Sequence, residues 1–422
     1  MLPRLLFRIA FPLSLLAFAQ SVNAETIGQT EGVGALQQQI NATTSDGVLR
    51  LAAGVYPGPV VLNRPMQIAC EAGAKIQGNG NGSVITLDAP ETAVSGCEIS
   101  GSGNSHETID SGIQLTKKAR GARVEGNHLT GNLYGVDVHG AQDAKVLRNT
   151  IIGRQDHRMN SRGNGVYVWN APGAEVSYNK VRYGRDGIFT NTSKRNLFTH
   201  NTFRDLRFAV HYMYTQDSVV SDNVSIGNHL GYAIMFSKGV RVENNLSYND
   251  RDQGIMLNYA NAGTVMGNYI FGIKGRALFI YNAHKNTISG NRFEGNDIGI
   301  HFTAGSEKNT ISDNAFIGNR QQVKYVGSKW VDWSAEGIGN YWSDHAAFDL
   351  DNDGFADTPY RPNDAIDHIL WTQPSAKLLL GSPAVQLVRW AQRAFPATLP
   401  GGVIDRHPLV RPVEPKAMEA IQ

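Results

Sequence analysis

FTHNTFRDLRFAVHYMYTQDSVVSDNVSIGNHLGYAIMFSKGVRVENN, residues 198–245, repeats one short pattern three times: a large apolar residue precedes an asparagine by three positions. The pattern continues in both directions with steps of 22 or 23 residues and one step of 30. The nine asparagines are Asn127, Asn149, Asn179, Asn201, Asn223, Asn245, Asn268, Asn291 and Asn314. A unit of about 22 residues is too short for a pair of helices but accommodates two or three short strands. The sequence therefore predicts an all-β fold, a right-handed parallel β-helix.

The asparagine column has a structural explanation. Strands of successive coils stack about 4.8 Å apart, so asparagines at equivalent corners can hydrogen-bond to one another along the stack. Asparagine also tolerates the left-handed backbone of a tight corner. We therefore assign no catalytic role to this column.

The chain divides into five segments around the repeats. Coils at the ends of a solenoid need caps, because they otherwise expose the core and unpaired strand edges. The predicted segments are a signal peptide (1–24), an N-terminal cap with irregular early coils (25–110), regular repeats (111–328), a C-terminal cap with an Asp-rich loop (329–372), and a C-terminal helix and tail (373–422).

The first residues indicate export. Arg4 and Arg8 precede an apolar run, and Val22-Asn23-Ala24 places small residues at the −3 and −1 positions of a cleavage site. We expect a periplasmic protein. Removal of residues 1–24 lowers the count of basic residues from 39 to 37, equal to the 37 acidic residues, which argues against nucleic-acid binding.

The chain has two cysteines, Cys70 and Cys97, which lie 27 residues apart, or about one coil. In an oxidising compartment they can form a disulfide across neighbouring coils. Two free buried thiols are the alternative, and the sequence leaves both open.

The repeated strand alternates between two faces. One parity is apolar and is expected to face the interior. It includes Val136/Val138, Val166/Val168, Ile188, Val210/Tyr212, Ile234/Phe236, Ile255/Leu257, Leu278/Ile280 and Ile300/Phe302. The other parity is rich in aromatic residues, Met and His over some eight coils, where a solvated face would carry Thr, Ser, Lys and Glu. Exposed apolar surface of that extent is typical of a partner or ligand site.

A cluster of soft ligands lies in the middle of the outward face. His211, Met213, Met235 and Met256 fall on three consecutive coils, although the chain has only eight Met. Imidazole and thioether groups suit Cu(I), whereas Mg²⁺ and Ca²⁺ prefer oxygen. The alternative is that these side chains are adaptable packing under a loop or partner.

Between Asn149 and Asn179 the repeat gains eight residues. This inserted loop carries His157 and Met159, which we treat as further candidate copper ligands on a possible lid.

An acidic loop carries a second candidate metal site. Asp349, Asp351, Asp353 and Asp357 occupy positions 1, 3, 5 and 9 of a calcium loop, with Gly354 at position 6. Position 12 is Tyr360 rather than the usual bidentate Glu. A turn held by Asx hydrogen bonds is the alternative explanation, and either role would be structural.

The repeats, followed by Gly339-Asn340-Tyr341-Trp342-Ser343-Asp344 and by Asp357-Thr358-Pro359-Tyr360, resemble the NosD family over essentially the whole chain. The resemblance implies a periplasmic, non-enzymatic part in assembling the copper-sulfur centre of nitrous oxide reductase. It implies partnership with an ABC transporter, made of the ATPase NosF and the membrane subunit NosY, and with the copper chaperone NosL. It supplies no metal ligands.

Two other classes use the same fold. A polysaccharide lyase or epimerase needs a base and a group that neutralises the sugar carboxylate, and the outward face offers only scattered Asp137, His139 and His301. A metal-free structural adaptor is the third reading.

The tail contains a short amphipathic helix around Val385 to Phe395, with Arg389, Trp390 and Arg393 at its edges. Given the resemblance, we expect the tail to dock onto the membrane subunit of the transporter.

Overall fold

Three long parallel sheets form the walls of one solenoid. The computed structural model describes residues 24–28, 32, 34–303, 305–327, 329–363, 366, 367, 369, 373–379, 382–395 and 401–421. These residues form a right-handed parallel β-helix of about 13 coils, which confirms the predicted fold class. Each regular coil contributes one strand to each sheet, and we number the strands β1–β40 in chain order.

Sheet A lies on the side that leads into the asparagine corner. Its strands are β1 (Ala24–Ile27), β2 (Val48–Leu51), β5 (Gln67–Cys70), β8 (Ala93–Ser95), β11 (Arg123–Glu125), β14 (Lys145–Leu147), β17 (Glu175–Ser177), β20 (Leu197–Thr199), β23 (Val219–Ser221), β26 (Arg241–Glu243), β29 (Thr264–Met266), β32 (Thr287–Ser289) and β35 (Thr310–Ile311).

Sheet B follows the asparagine corner. Its strands are β3 (Gly54–Pro57), β6 (Ala74–Gln77), β9 (Glu98–Ser100), β12 (His128–Thr130), β15 (Thr150–Ile152), β18 (Lys180–Arg182), β21 (Thr202–Arg204), β24 (Val224–Ile226), β27 (Leu246–Tyr248), β30 (Tyr269–Phe271), β33 (Arg292–Glu294), β36 (Ala315–Ile317) and β39 (Tyr341–Trp342).

Sheet C carries the candidate site and has the longest strands. They are β4 (Val60–Leu62), β7 (Ile85–Leu87), β10 (Ser111–Leu115), β13 (Tyr134–His139), β16 (Val166–Trp169), β19 (Asp186–Asn191), β22 (Phe208–Met213), β25 (Leu230–Met235), β28 (Gln253–Asn258), β31 (Arg276–Tyr281), β34 (Ile298–Thr303) and β37 (Gln321–Val326). A separate pair, β38 (Trp330–Asp332) and β40 (Gly402–Ile404), belongs to the C-terminal cap.

The asparagine column forms a continuous hydrogen-bonded ladder, as predicted. Each asparagine, from Asn127 onward, donates from Nδ2 to Oδ1 of the next at 2.9–3.0 Å. The ladder continues one step beyond the predicted column, to Asn340. Because the same Oδ1 atoms also accept the backbone N–H of the preceding asparagine, the ladder fixes the register of sheets A and B.

The interior is filled by the predicted apolar parity, with one correction. Phe236 was expected inside but is 39% exposed, and its φ of +48° places it at the corner after β25. Tyr232 takes the interior position instead, in register with Val210 and fully buried. The buried Tyr232 hydroxyl donates to the backbone oxygens of Asn223 and Leu246, which satisfies its polar atom.

The N-terminal end is closed by helix α1 (Ala35–Ala42), which buries Leu36 and Ile40. In the early coils, Cys70 and Cys97 form a disulfide, with their Cα atoms 4.9 Å apart. Cys70 ends β5 and Cys97 follows β8, and because these strands are in-register neighbours, the bond ties two adjacent coils together. The predicted signal peptide lies outside the described residues except for Ala24, where β1 begins.

The C-terminal end is closed by residues far apart in sequence. Asp405, which is fully buried, accepts hydrogen bonds from the backbone N–H of Asn340 at 2.7 Å and from Trp342 Nε1 at 2.8 Å. It therefore caps Asn340, the last residue of the asparagine ladder. The Trp342 ring stacks on Phe316 of the previous coil at 4.4 Å and contacts Tyr360 at 4.8 Å.

The predicted C-terminal segment 373–422 consists of two parts. Helix α2 (Pro383–Ala394) begins with Ser382 as N-cap, whose side chain accepts from Val385 N, and with proline at the first helical position. By contrast, residues 402–421 pack against the solenoid: β40 pairs with β38, and the 3₁₀-helix Lys416–Ile421 packs on sheet B through Ala417. Further 3₁₀-helices are Met159–Ser161 and Pro374–Leu379.

Candidate functional site

The outer face of sheet C presents two columns of side chains in register. Column 1 consists of Asp137, Tyr167, Phe189, His211, Ala233, Met256, Phe279 and His301. Column 2 consists of His139, Trp169, Asn191, Met213, Met235, Asn258 and Tyr281. These are the residues that the alternation of the repeated strand assigned to the outside.

The predicted copper ligands lie on this face but not all side by side. Met213 and Met235 are direct neighbours in column 2, and His211 precedes Met213 by two residues on the same strand. In column 1, Ala233 separates His211 from Met256, which puts them two rungs or about 9.6 Å apart at their backbones. The structure thus brings His211, Met213 and Met235 together, and Met256 flanks them.

His211 is held by a buried carboxylate that the sequence did not indicate. Its Nδ1 lies 3.2 Å from Oδ2 of Asp186, and both side chains are buried. Arg207 binds both oxygens of Asp186, at 2.7 Å from Nε and 2.6 Å from Nη2. Burial would raise the pKa of Asp186, but the hydrogen bonds from His211 and Arg207 outweigh it and hold that pKa below its ordinary value.

The His211 ring is fixed by aromatic contacts. Phe189, one coil earlier, has its ring centroid 4.7 Å away, and Phe208 meets the ring edge-on at 5.0 Å. Since an ionised carboxylate can only accept, Nδ1 is the donor to Asp186. Within the described part of the chain, the buried Nε2 atom of His211 has no hydrogen-bond partner. Its lone pair is therefore available to a metal ion.

A second buried histidine on this face differs from His211 in its charge environment. His301 stacks on Phe279 at 4.8 Å, and its Nδ1 is buried with no hydrogen-bond partner among the described residues. Burial and the neighbouring cations Lys324 and Arg276 lower the pKa of His301 to about 3. A cation is disfavoured beside these two side chains, so His301 is the poorer ligand.

The inserted loop is anchored toward the early coils. Ser161 O lies 3.3 Å from His106 Nε2, and Arg154 binds the backbone oxygens of Gly103 and Gly131. Met159 Sδ lies 3.9 Å from an Arg162 nitrogen, and His157 is exposed. These contacts lead away from Met235 and Met256, so a lid over the methionines requires the loop to move.

An open cavity of about 660 Å³ borders the N-terminal part of column 2. His139 and Trp169, whose rings stack at 4.4 Å, form one wall. Behind them Asp137 is fully buried and accepts from Gln114 at 3.1 Å. Burial raises the pKa of Asp137 to about 7.

The Asp-rich loop closes on itself through backbone donors. Side-chain oxygens of Asp349, Asp351 and Asp353 lie within 4.8 Å of one another. Asp349 accepts from the backbone N–H groups of Asp353 and Gly354, and Asp357 accepts from that of Leu350. These are the Asx bonds of the alternative explanation, and they leave room for further carboxylate ligation. Calcium binding therefore stays a prediction.

A row of exposed aromatic rings was missed at the corner after sheet C. Tyr214, Phe236 and Tyr259 are 55%, 39% and 44% exposed and stack at 5.3 and 5.2 Å, and Tyr281 meets Tyr259 edge-on. The first three have φ near +50°, which is unusual for aromatic residues. The 22-residue spacing of Tyr214 and Phe236 was the signal in the sequence. The row extends the apolar surface beside Met213 and Met235.

Comparison with known proteins identifies the family. The sequence model described as "Periplasmic copper-binding protein (NosD)" matches residues 147–347. A protein of Pseudomonas aeruginosa, named as a probable ABC transporter binding protein NosD, is 44% identical over 379 residues, covering 87% of this chain and 89% of that protein. A relative of the same name from Stutzerimonas stutzeri is 43% identical, covering 86% of both chains.

Solved structures with the same fold are distant in sequence. A mannuronic acid-specific family 6 lyase from human gut microbiota has a TM-score of 0.57 at 13% identity, covering 78% of this chain and 88% of that one. The family 6 alginate lyase AlyGC also has a TM-score of 0.57, at 15% identity, covering 72% and 49%. At these identities the likeness shows the fold alone, whereas the relatives above are named as transporter binding proteins and not as enzymes. The chain belongs to the NosD family.

Proposed function

We propose that this chain is a periplasmic accessory protein that handles copper during assembly of the copper-sulfur centre of nitrous oxide reductase. It works with an ABC transporter, the ATPase NosF with the membrane subunit NosY, and receives Cu(I) from the chaperone NosL. Family membership and the copper-binding description of the family support this proposal. Among the described residues, no helix has the length and apolar character needed to cross a membrane.

One observation supports the copper assignment: His211 has a buried imidazole nitrogen without a partner among the described residues, and Met213 and Met235 lie on the same outer face of its own and the next strand. Cu(I) accepts such ligands, and thioethers bind it without losing a proton. A site that delivers its ion must be incomplete and open to a partner. The three methionines of this face, Met213, Met235 and Met256, are only partly buried, which suits transfer.

The test is an anaerobic Cu(I) titration against a competing chelator. A variant with His211→Ala, Met235→Leu and Met256→Leu should lose Cu(I) affinity, because it removes three of the four soft ligands on the strands while keeping much of the packing volume. The matched control combines His301→Ala with Met266→Leu, which removes a buried histidine of the same face and an exposed methionine of sheet A. Equal affinity in all three proteins would show that the cluster is packing and that copper is handled elsewhere.

We also propose that helix α2 contacts the membrane subunit of the transporter. Leu387 and Trp390 are each 64% exposed, and Leu378 in the preceding 3₁₀-helix is 92% exposed. Apolar side chains at that exposure are typical of a helix that lies in a partner's groove.

Deleting residues 381–422 is not a clean test, because it also removes Asp405 and β40 from the cap. The sharper variant is Leu387→Ser with Trp390→Ser, which should abolish co-purification with NosY. The control is Phe348→Ser, a 66% exposed residue of the cap loop. Co-purification that survives the double substitution contradicts the docking proposal.

A further inference from the structure

His211 and His301 are both buried on the outer face, but the charged groups next to them differ. Both His211 and His301 have a ring nitrogen without a hydrogen-bond partner in the described part of the chain. Behind His301 stand two cations, Arg276 and Lys324. Behind His211 stands Asp186, a carboxylate with no exposed surface. The two histidines therefore differ in the charge of their neighbours: a carboxylate lies next to His211, and two cations lie near His301.

Burying the charged Asp186 side chain is unfavourable, and hydrogen bonds from Arg207 and His211 offset this. A buried carboxylate must be paired and hydrogen-bonded to remain ionised. Arg207 supplies a bidentate pair, and Arg185 Nε lies 4.0 Å from the same Oδ2 atom. The Arg207 guanidinium itself lies over the Phe208 ring, 4.5 Å from its centroid. The guanidinium of the pair thus packs on Phe208, whose ring also contacts His211.

We infer that Asp186 is a positioning residue that holds His211 as its Nδ1–H tautomer, leaving the Nε2 lone pair free for a soft metal ion. The identity of the metal ion, Cu(I), rests on the proposed function, whereas the tautomer of His211 does not. The carboxylate takes the Nδ1 proton as an acceptor, at 3.2 Å. Phe189 and Phe208 fix the plane of the ring.

A neutral imidazole has one protonated and one unprotonated nitrogen, and only the unprotonated nitrogen binds a metal. A carboxylate behind a ligating histidine selects which nitrogen that is, and loss of such a partner lowers metal affinity about 10- to 100-fold. Asparagine at position 186 offers both an N–H donor and an oxygen acceptor, so it no longer selects one tautomer. Asp186→Asn should therefore populate the Nε2–H form and weaken Cu(I) binding.

The direct experiment reads the tautomer without metal. Long-range ¹H–¹⁵N spectra of the uniformly ¹⁵N-labelled full chain distinguish protonated from unprotonated ring nitrogens, and His211→Ala assigns the signals among the 12 histidines. We expect a protonated Nδ1 and an unprotonated Nε2 in the wild type, and a mixture in Asp186→Asn. The matched control is Asp137→Asn, a buried carboxylate three rungs away in the same column. It should leave the His211 signals unchanged.

The same proteins are then titrated anaerobically with Cu(I). An Asp186→Asn affinity reduced at least tenfold, together with the tautomer change, supports the inference. A protonated Nε2 in the wild type overturns it, and so does a lower affinity with an unchanged tautomer. If the tautomer is as inferred but His211→Ala binds Cu(I) as well as the wild type, the proposed copper site fails while the positioning of His211 stands.

Asp186→Asn leaves Arg207, whose side chain is only 28% exposed, without its carboxylate, so this variant can fail to fold. The double variant Asp186→Asn/Arg207→Gln removes both charges and serves as the second test. If either variant fails to fold, the wild-type spectrum still tests the inference, because it shows which ring nitrogen of His211 is protonated.

Discussion

Replacing one asparagine of the ladder should open the solenoid at a defined place. The Asn223 side chain makes four buried hydrogen bonds: Nδ2 donates to Phe198 O at 2.9 Å and to Asn245 Oδ1 at 3.0 Å, and Oδ1 accepts from N and Nδ2 of Asn201 at 2.9 and 3.0 Å. At about 1 kcal/mol of net stability for each bond, Asn223→Ala costs about 4 kcal/mol before any penalty for unpaired groups.

A solenoid contacts itself only between neighbouring coils, so it loses structure locally and one global free energy is poorly defined. The assay is therefore native-state hydrogen exchange of the Asn201 amide, which donates directly to Asn223. A loss of about 4 kcal/mol corresponds to exchange roughly 1000-fold faster, since about 1.4 kcal/mol is tenfold.

The control is Asn81→Ala, at an exposed loop position outside the ladder. It should leave exchange of the Asn201 amide as in the wild type. An acceleration of less than tenfold in Asn223→Ala would refute the argument that the ladder fixes coil register, because the four bonds would then contribute less than a third of the expected stability.

The remaining predictions concern other buried groups. Burial raises the pKa of Asp250 to about 7. The stability that comes from the protonated Asp250 side chain is therefore complete below the unfolded-state pKa near 4. This stability is lost as pH rises toward 7, by up to about 4 kcal/mol. Asp250→Asn should therefore have a smaller drop in urea midpoint between pH 5 and pH 8 than the wild type, and an equal drop would contradict this. Cys70→Ser with Cys97→Ser opens a 27-residue loop and should cost about 3.5 kcal/mol in urea unfolding, with the reduced wild type as the control. Asp405→Asn keeps one acceptor where four N–H groups converge, including Trp342 Nε1, and should cost about 1–3 kcal/mol, read as earlier urea-induced exposure of tryptophan fluorescence.

The repeating part of the fold was predictable because each coil carries its own signal. The Asn127–Asn314 column and the alternating strand appear many times, so one irregular coil does not hide the period. Position 232 shows the limit of this reading: the alternation in that coil was taken as Ile234/Phe236, two residues too late, and Tyr232 was left out of the interior. A tyrosine can occupy the interior when its hydroxyl reaches backbone acceptors, as Tyr232 does.

The cap could not be derived from periodicity, because its contacts join residues far apart in the chain. Asp405 meets Asn340 across 65 residues, and no local pattern connects them. The Gly339–Asp344 block was noticed through family resemblance, and the structure gives its physical role. Asn340 ends the ladder, and Trp342 covers the last coil.

The candidate site was predictable in composition but not in arrangement. Alternation placed His211, Met213 and Met235 outside, and register put them on neighbouring rungs, as observed. Asp186 escaped notice because it sits at the start of β19, beside Gly187, where the strand leaves the corner and alternation no longer tells inside from outside. Asp186 nevertheless matters to the proposed site, because its carboxylate contacts His211 Nδ1. An unassisted imidazole on a surface presents either nitrogen, whereas one backed by a buried carboxylate presents a single, defined ligand atom. In the proposed copper site, the ligand atom that His211 presents thus depends on a residue one coil earlier, which the stacking of β19 on β22 brings into contact.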